Sequence, residues 1–112
     1  MTRLNSTPTQ FKNIALIGKL QAEGIDSVIT QLCNLIQKLG CQVFIDKDTA
    51  EFTGIQQIPT IHLNKLDGQV DAVVVVGGDG TLLGVGRHLA GANIPVIGIN
   101  MGKLGYMTDI PI

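Results

Sequence analysis

Apolar residues follow two alternating patterns along the first half of the chain. Residues 13–18 form a short apolar segment, whereas residues 25–39 carry apolar side chains three and four positions apart, the spacing of one helix face. Residues 41–45 form a second segment typical of a strand. Together these segments predict a strand, a helix and a second strand, which is the order of a βαβ unit.

The predicted helix has recognisable signals at both ends. Asp26 or Ser27 is expected to cap its start, because short polar side chains accept hydrogen bonds from the first free amides of a helix. Gly40 follows the last apolar position and fits the left-handed conformation in which helices commonly end.

The second half of the chain repeats the alternation. Residues 70–76 are mostly valine, which is typical of a central parallel strand covered on both faces. Residues 80–90 predict a helix and residues 95–99 a further strand, while residues 46–69 predict a short helix or two with loops. The whole pattern predicts an α/β fold with a doubly wound, mostly parallel sheet.

Composition and charge narrow the class of protein. The chain has 112 residues, of which 45% are hydrophobic and 15% charged, which is typical of one domain with an apolar core. We expect residues 1–11 to form a flexible tail and residues 12–112 the domain. A net charge of −1 gives no attraction to nucleic acid or to a membrane surface.

The same sequence predicts a cytoplasmic protein. The polar N-terminal segment lacks the apolar core of a secretion signal, and no apolar run approaches the length of a membrane span. Cys33 and Cys41 match no metal-binding spacing, and we expect both to be reduced thiols.

Glycine is the residue type that departs most from an ordinary composition. Nine of the 14 glycines lie between residues 77 and 105. Five of these nine fall in two segments, residues 77–81 and residues 101–106, each of which follows a predicted strand. Ligands of doubly wound sheets bind beyond the carboxyl ends of the strands. We therefore predict a ligand site there.

The segment GGDGT at residues 77–81 has the features of a phosphate-binding turn. Its glycines let backbone N–H groups and the start of a helix approach an anion, and Thr81 adds a hydroxyl donor. Asp79 would repel phosphate, but in a kinase it can accept the proton of the attacking hydroxyl or hold Mg²⁺ directly or through water. Alternatively, Asp79 caps the helix. The segment is not a Walker loop. It is not a dinucleotide fingerprint either, because the sixth position counted from Gly78, which should be glycine, is Leu83.

Two motifs resemble those of a known family. GGDGT resembles the signature shared by NAD kinases and by diacylglycerol and sphingosine kinases, with a relative in phosphofructokinases. GINMGKLGYMTD at residues 98–109 resembles a segment that is typical of NAD kinases and not of lipid kinases. The resemblance extends from about residue 13 to the end and is strongest over residues 70–109. The chain is therefore identified as similar to the N-terminal domain of the NAD kinase family.

This resemblance implies a reaction and a set of site residues. The reaction is transfer of the γ-phosphoryl group of ATP, or of polyphosphate, to the adenosine-ribose 2′-hydroxyl of NAD, giving NADP, with Mg²⁺ or another divalent cation. The resemblance implies that Asp79 is the general base, and we assign no residue as a resident metal ligand. The residues implied to bind nucleotide or phosphate are Gly77, Gly78, Gly80, Thr81, Asn100, Gly102, Leu104, Gly105 and Tyr106.

The resemblance also implies a larger protein. NAD kinases have a β-rich second domain after this segment, so we expect this chain to be a fragment that is inactive alone. We expect the full-length protein to be a homo-oligomer. Two other functions stay open: the catalytic domain of a lipid kinase of the diacylglycerol type, and a non-catalytic nucleotide-binding module.

Overall fold

A computed structural model of the chain describes residues 11–18, 24–100 and 107–110. The elements, in chain order, are β1 (Asn13–Gly18), α1 (Ile25–Lys38), β2 (Gln42–Asp46), α2 (Lys47–Thr53), β3 (Thr60–Ile61), a 3₁₀ turn (Leu63–Lys65), β4 (Ala72–Gly77), α3 (Asp79–His88), β5 (Val96–Asn100) and β6 (Met107–Ile110). Within the described residues, six strands form one sheet in the order β3-β2-β1-β4-β5-β6.

The strand order confirms the predicted doubly wound, mostly parallel α/β fold. Strands β1 to β5 are parallel, and β6 pairs antiparallel with β5. The chain moves from β1 outwards to β2 and β3, and then returns to β4 on the other side of β1. The order therefore reverses between β1 and β4, and their carboxyl ends form the topological switch point at which such sheets bind ligands.

The valine run of β4 explains why this strand lies in the middle of the sheet. Val73 and Val75 belong to the apolar core on one face, and Val74 and Val76 belong to the core on the other. Because successive side chains of a strand point to opposite faces, an apolar run requires cover on both. Helix α3 contributes to the first core and α1 to the second.

The ends of helix α1 agree only partly with the sequence. The helix starts after Gly24, which has a φ of 79° and provides no side-chain cap. The predicted capping by Asp26 or Ser27 is therefore wrong, because both residues lie inside the first turn. Gly40 does adopt a left-handed φ of 89°.

No helix in the described part of the chain is long and apolar enough to cross a membrane.

Both cysteines are free thiols. Cys33 lies on the buried face of α1, and this burial raises the pKa of its thiol. A neutral, buried thiol contributes to packing as a small apolar group.

A glycine controls how closely α3 approaches β5. A Cβ atom on Gly98 would overlap Cδ2 of Leu82 and lie 2.8 Å from its Cδ1. Leu82 is itself buried, at 2% exposure. Only glycine at position 98 therefore lets the start of α3 lie directly against the end of β5.

Candidate functional site

The turn between β4 and α3 forms the first part of the candidate site. Gly78 occupies the N-cap position with an extended backbone, and no side chain caps the helix. The first hydrogen bond of the helix runs from the Leu82 N–H to the Gly78 carbonyl, at 3.2 Å. The amides of residues 79–81 precede it, so they are the free donors that a helix N-terminus offers to an anion.

Glycines 78 and 80 are not required by the fold. A Cβ atom at either position would meet no atom within 4 Å, and neither residue has a left-handed φ. Asp79 and Gly80 are exposed, and Thr81 is half-buried. The space beside the turn is therefore open, and an added side chain would occupy it.

The two sequence motifs meet at a hydrogen bond between their side chains. The Nδ2 group of Asn100 donates to Oδ1 of Asp79 at 3.0 Å. Asp79 begins α3 and Asn100 ends β5, where it is 8% exposed. The alternative in which Asp79 caps its own helix is not observed, because it is the first helical residue and Gly78 holds the cap position.

The packing of α3 on β5 accounts for this contact. Gly98 and Asn100 are two residues apart on a strand, and so lie on one face of the sheet. Asp79 and Leu82 are three residues apart on a helix, and so lie on one side of it. Since Leu82 lies over Gly98, Asp79 is placed beside Asn100.

A buried threonine secures the neighbouring strand end. The backbone N–H of Gly18, the last residue of β1, donates to Oγ1 of Thr49 at 3.0 Å. The single hydroxyl proton of Thr49 has two acceptors within reach, the Asp46 carboxylate at 3.0 Å and the Gly18 carbonyl at 3.3 Å. Thr49 is 1% exposed. Thr49 was not among the predicted residues, although an aspartate three positions before a threonine at a strand end is a usable capping signal.

The structure brings part of the predicted site together. Six of the predicted residues lie at the carboxyl ends of β4 and β5 or in the turn after β4: Gly77, Gly78, Asp79, Gly80, Thr81 and Asn100. The other four lie outside the described residues: Gly102, Leu104, Gly105 and Tyr106. In the part of the chain that the structure describes, no three acidic, histidine or cysteine side chains are grouped to hold a metal ion.

The fold and the site define a doubly wound α/β domain with an open glycine turn and a carboxylate at its switch-point edge. The profile of the family described as ATP-NAD kinase N-terminal domain matches residues 14–112. The chain belongs to this family, which confirms the resemblance drawn from the two motifs.

Full-length relatives agree with this assignment. The chain is 47% identical over 102 residues to the NAD kinase of Polaromonas naphthalenivorans, covering 91% of this chain and 35% of the relative. It is 44% identical over 110 residues to the NAD kinase of Ralstonia nicotianae, covering 98% and 36%. The chain thus spans about a third of the length of these relatives.

A solved structure shows the same fold at low sequence similarity. The crystal structure of yeast NADH kinase complexed with NADH matches with a TM-score of 0.66 and 17% identity. The match covers 88% of this chain and 34% of the yeast chain.

Proposed function

We propose that this chain is the N-terminal part of an enzyme that phosphorylates NAD to NADP. The donor is ATP or polyphosphate, and the acceptor is the adenosine-ribose 2′-hydroxyl of NAD. One observation carries the proposal: an exposed carboxylate, held by a buried amide, lies beside an open glycine turn at the switch point. The family and its full-length relatives support this reaction over that of a lipid kinase.

Asp79 acts as the general base. Its carboxylate accepts the proton of the 2′-hydroxyl while the ribose oxygen attacks the γ-phosphorus. The bond between the γ-phosphorus and the bridging β–γ oxygen breaks, and ADP leaves with that electron pair. A positioned base contributes about 10²–10⁴-fold to such a step.

The turn supplies the binding of the donor. The amides of residues 79–81 and the positive end of the α3 dipole attract the phosphate oxygens, and the Thr81 hydroxyl adds a donor. The open positions at Gly78 and Gly80 let these oxygens approach the backbone. Phosphoryl transfer depends mainly on such positioning and neutralisation of charge.

The residues fit a divalent cation that is bound largely through the substrate. Mg²⁺ commonly takes one or two carboxylates together with phosphate oxygens, and it neutralises charge on the phosphates when bound. The described residues offer the carboxylate of Asp79 at the turn and no cluster of three ligands. The phosphate oxygens of the donor, and not protein side chains, would therefore provide most of the ligands of the cation.

The remaining expectations belong to the full-length protein. Gly102, Leu104, Gly105 and Tyr106 are proposed to line the nucleotide site, with the Tyr106 ring stacked on a base. We propose a cytoplasmic homo-oligomer without a nucleic-acid or membrane partner.

NADP formation tests the proposal directly. The full-length protein carrying this chain is incubated with NAD, Mg²⁺ and either ATP or polyphosphate, and NADP is measured with an NADP-specific dehydrogenase. We expect NADP from the full-length protein and none from the 112-residue chain alone. A full-length protein that binds ATP and NAD but forms no NADP with either donor would instead be a nucleotide-binding module.

A further inference from the structure

We propose that Asn100 is a positioning residue that orients the carboxylate of Asp79 for proton transfer. The inference rests on the proposed function and adds a role that the motif resemblance does not imply, since that resemblance places Asn100 among the nucleotide-lining residues. Asn100 acts through Asp79: it fixes one carboxylate oxygen so that the other faces the acceptor hydroxyl.

The chemistry of the pair determines which groups face each other. An ionised carboxylate only accepts hydrogen bonds, so the amide group of Asn100 must present its N–H to Oδ1 of Asp79. Hydrogen bonds to charged acceptors are stronger than those between neutral groups. Within residues 11–18 and 24–100, no group donates to Oδ2 of Asp79. We assign that oxygen to the acceptor hydroxyl.

Asn100 is held more firmly by its surroundings than Asp79 is, so Asn100 positions Asp79 and not the reverse. Asn100 is 8% exposed and lies in register with Gly77 of the central strand β4. Asp79 is exposed and begins a helix, where the first turn has fewer hydrogen bonds than the interior. The buried strand residue consequently holds the exposed helix residue. Catalytic groups need support of this kind, because small displacements lower the rate substantially.

The packing of α3 on β5 maintains the distance between the partners. Leu82 lies against Gly98 one helical turn further along α3 and two residues back along β5. This contact fixes the separation of helix and strand at the point where a 3.0 Å hydrogen bond must form.

Kinetics of full-length variants test the role. In Asn100→Leu, which keeps a similar volume and removes the donor, we expect kcat to fall about tenfold. We expect KM for ATP and for NAD to stay within about twofold, because Asn100 does not contact either substrate in this role. In the Asp79→Asn background, Asn100→Leu should cause no further loss of kcat, since the group through which it acts is already gone.

A core variant separates positioning from general destabilisation. Leu66 is 1% exposed in the core that also contains Leu82. Leu66→Ala should lower the thermal midpoint while kcat, measured well below that midpoint, stays unchanged. If Leu66→Ala and Asn100→Leu lower kcat in proportion to their thermal midpoints, Asn100 is only structural and the inference is wrong.

An exchange of the two side chains tests the pair without any assay of turnover. Asn100→Asp alone places two carboxylates against each other and should lower the thermal midpoint of the chain. Adding Asp79→Asn restores a donor and an acceptor in reversed positions, and the midpoint should return towards the wild-type value. In the full-length protein the exchanged pair should remain as inactive as Asp79→Asn.

The outcomes separate the inference from the proposed function. If the wild-type full-length protein forms no NADP, the proposed function fails, and a midpoint that the exchange does not restore would overturn the pairing itself. If the protein is active, a raised KM with unchanged kcat in Asn100→Leu would make Asn100 a ligand contact and overturn the inference. A further loss in the Asp79→Asn background would overturn it as well.

Discussion

Two aspartates flank the central strand β4, and they differ in how the fold uses them. Asp71 precedes the strand, and its Oδ2 accepts the backbone N–H groups of Lys12 at 2.7 Å and Asn13 at 2.8 Å. Its own N–H donates to the Asn13 carbonyl at 2.7 Å. Asp79 follows the strand by two residues and accepts a single described hydrogen bond, from Asn100.

Hydrogen-bond partners and exposure, and not residue type, therefore distinguish Asp71 from Asp79. The backbone bonds from Asn13 and Lys12 hold the pKa of Asp71 below its ordinary value and tie the start of β1 to the start of β4. Asp79 is exposed at the opposite end of the strand, with an oxygen that no described residue engages.

The strongest effects should follow from neutralising Asp79 and Asp71 one at a time. In the full-length protein, Asp79→Asn should lower kcat by about 10²–10⁴-fold, the usual contribution of a general base. Its thermal midpoint should hardly change, because an amide at position 79 can still accept the hydrogen bond from Asn100. Asp71→Asn should do the reverse, lowering the midpoint and leaving kcat unchanged. Steady-state kinetics and thermal unfolding of both variants provide the measurement.

Similar behaviour of the two variants would contradict this distinction between Asp71 and Asp79. Retention of more than a tenth of wild-type kcat by Asp79→Asn would show that no general base acts at this position. Equal losses of midpoint would show that both aspartates are structural.

The sequence predicts the fold well because the signals are local. Burial on both faces makes the valine run of β4 apolar at successive positions, so the strand is visible without any partner. Strand β6 was not predicted, because antiparallel pairing of residues 107–110 with β5 depends on the neighbour and leaves no periodic pattern in four residues. The capping residue of α1 was wrongly predicted, because Gly24, in a left-handed conformation, takes the place of a side-chain cap.

Only part of the candidate site could be predicted from the sequence. The glycines and Asp79 are adjacent in the chain, so residues 77–81 were enough to predict the turn and to suggest a phosphate-binding role, which stays a prediction. The pairing of Asp79 with Asn100 joins residues 21 positions apart and follows from the packing of Leu82 on Gly98. The bond between Thr49 and Gly18 spans 31 positions and depends equally on tertiary structure.

The next largest effect concerns the contact that brings α3 to the carboxyl end of β4. Gly98→Ala should destabilise the chain by about 1–3 kcal/mol, because its methyl group would overlap the buried Leu82 side chain. The control is Gly84→Ala within α3, where a Cβ atom meets nothing within 4 Å and alanine favours the helix by up to about 1 kcal/mol. Urea unfolding should move in opposite directions for the two variants. Equal stability of Gly98→Ala and the wild type would contradict the close approach.

A smaller effect tests whether a ligand occupies the open space beside the turn. Gly80→Ala and Gly84→Ala both add a methyl group to α3 without a clash, so both should stabilise the chain slightly. Only Gly80→Ala adds it beside the proposed phosphate site, and we expect roughly tenfold weaker binding of ATP, or about 1.4 kcal/mol. Calorimetric titration of the full-length variants measures this. Equal affinities for ATP would place the phosphates elsewhere.

The weakest effect is the pH dependence of stability that Asp71 causes at the amino end of β4. Because the pKa of Asp71 is lowered in the folded state, its charged form stabilises the fold above the ordinary carboxyl pKa of about 4. This stabilisation is lost as the pH falls through the lowered value, where the protonated side chain resembles asparagine. In urea unfolding, the wild type should therefore have a higher free energy of unfolding than Asp71→Asn at neutral pH. This gap in stability should close in acid. Asp67→Asn, at an exposed aspartate with no described hydrogen bond, should show no such gap. A gap for Asp71→Asn that persists unchanged in acid would mean that packing, and not the charge, makes this end of the strand depend on Asp71.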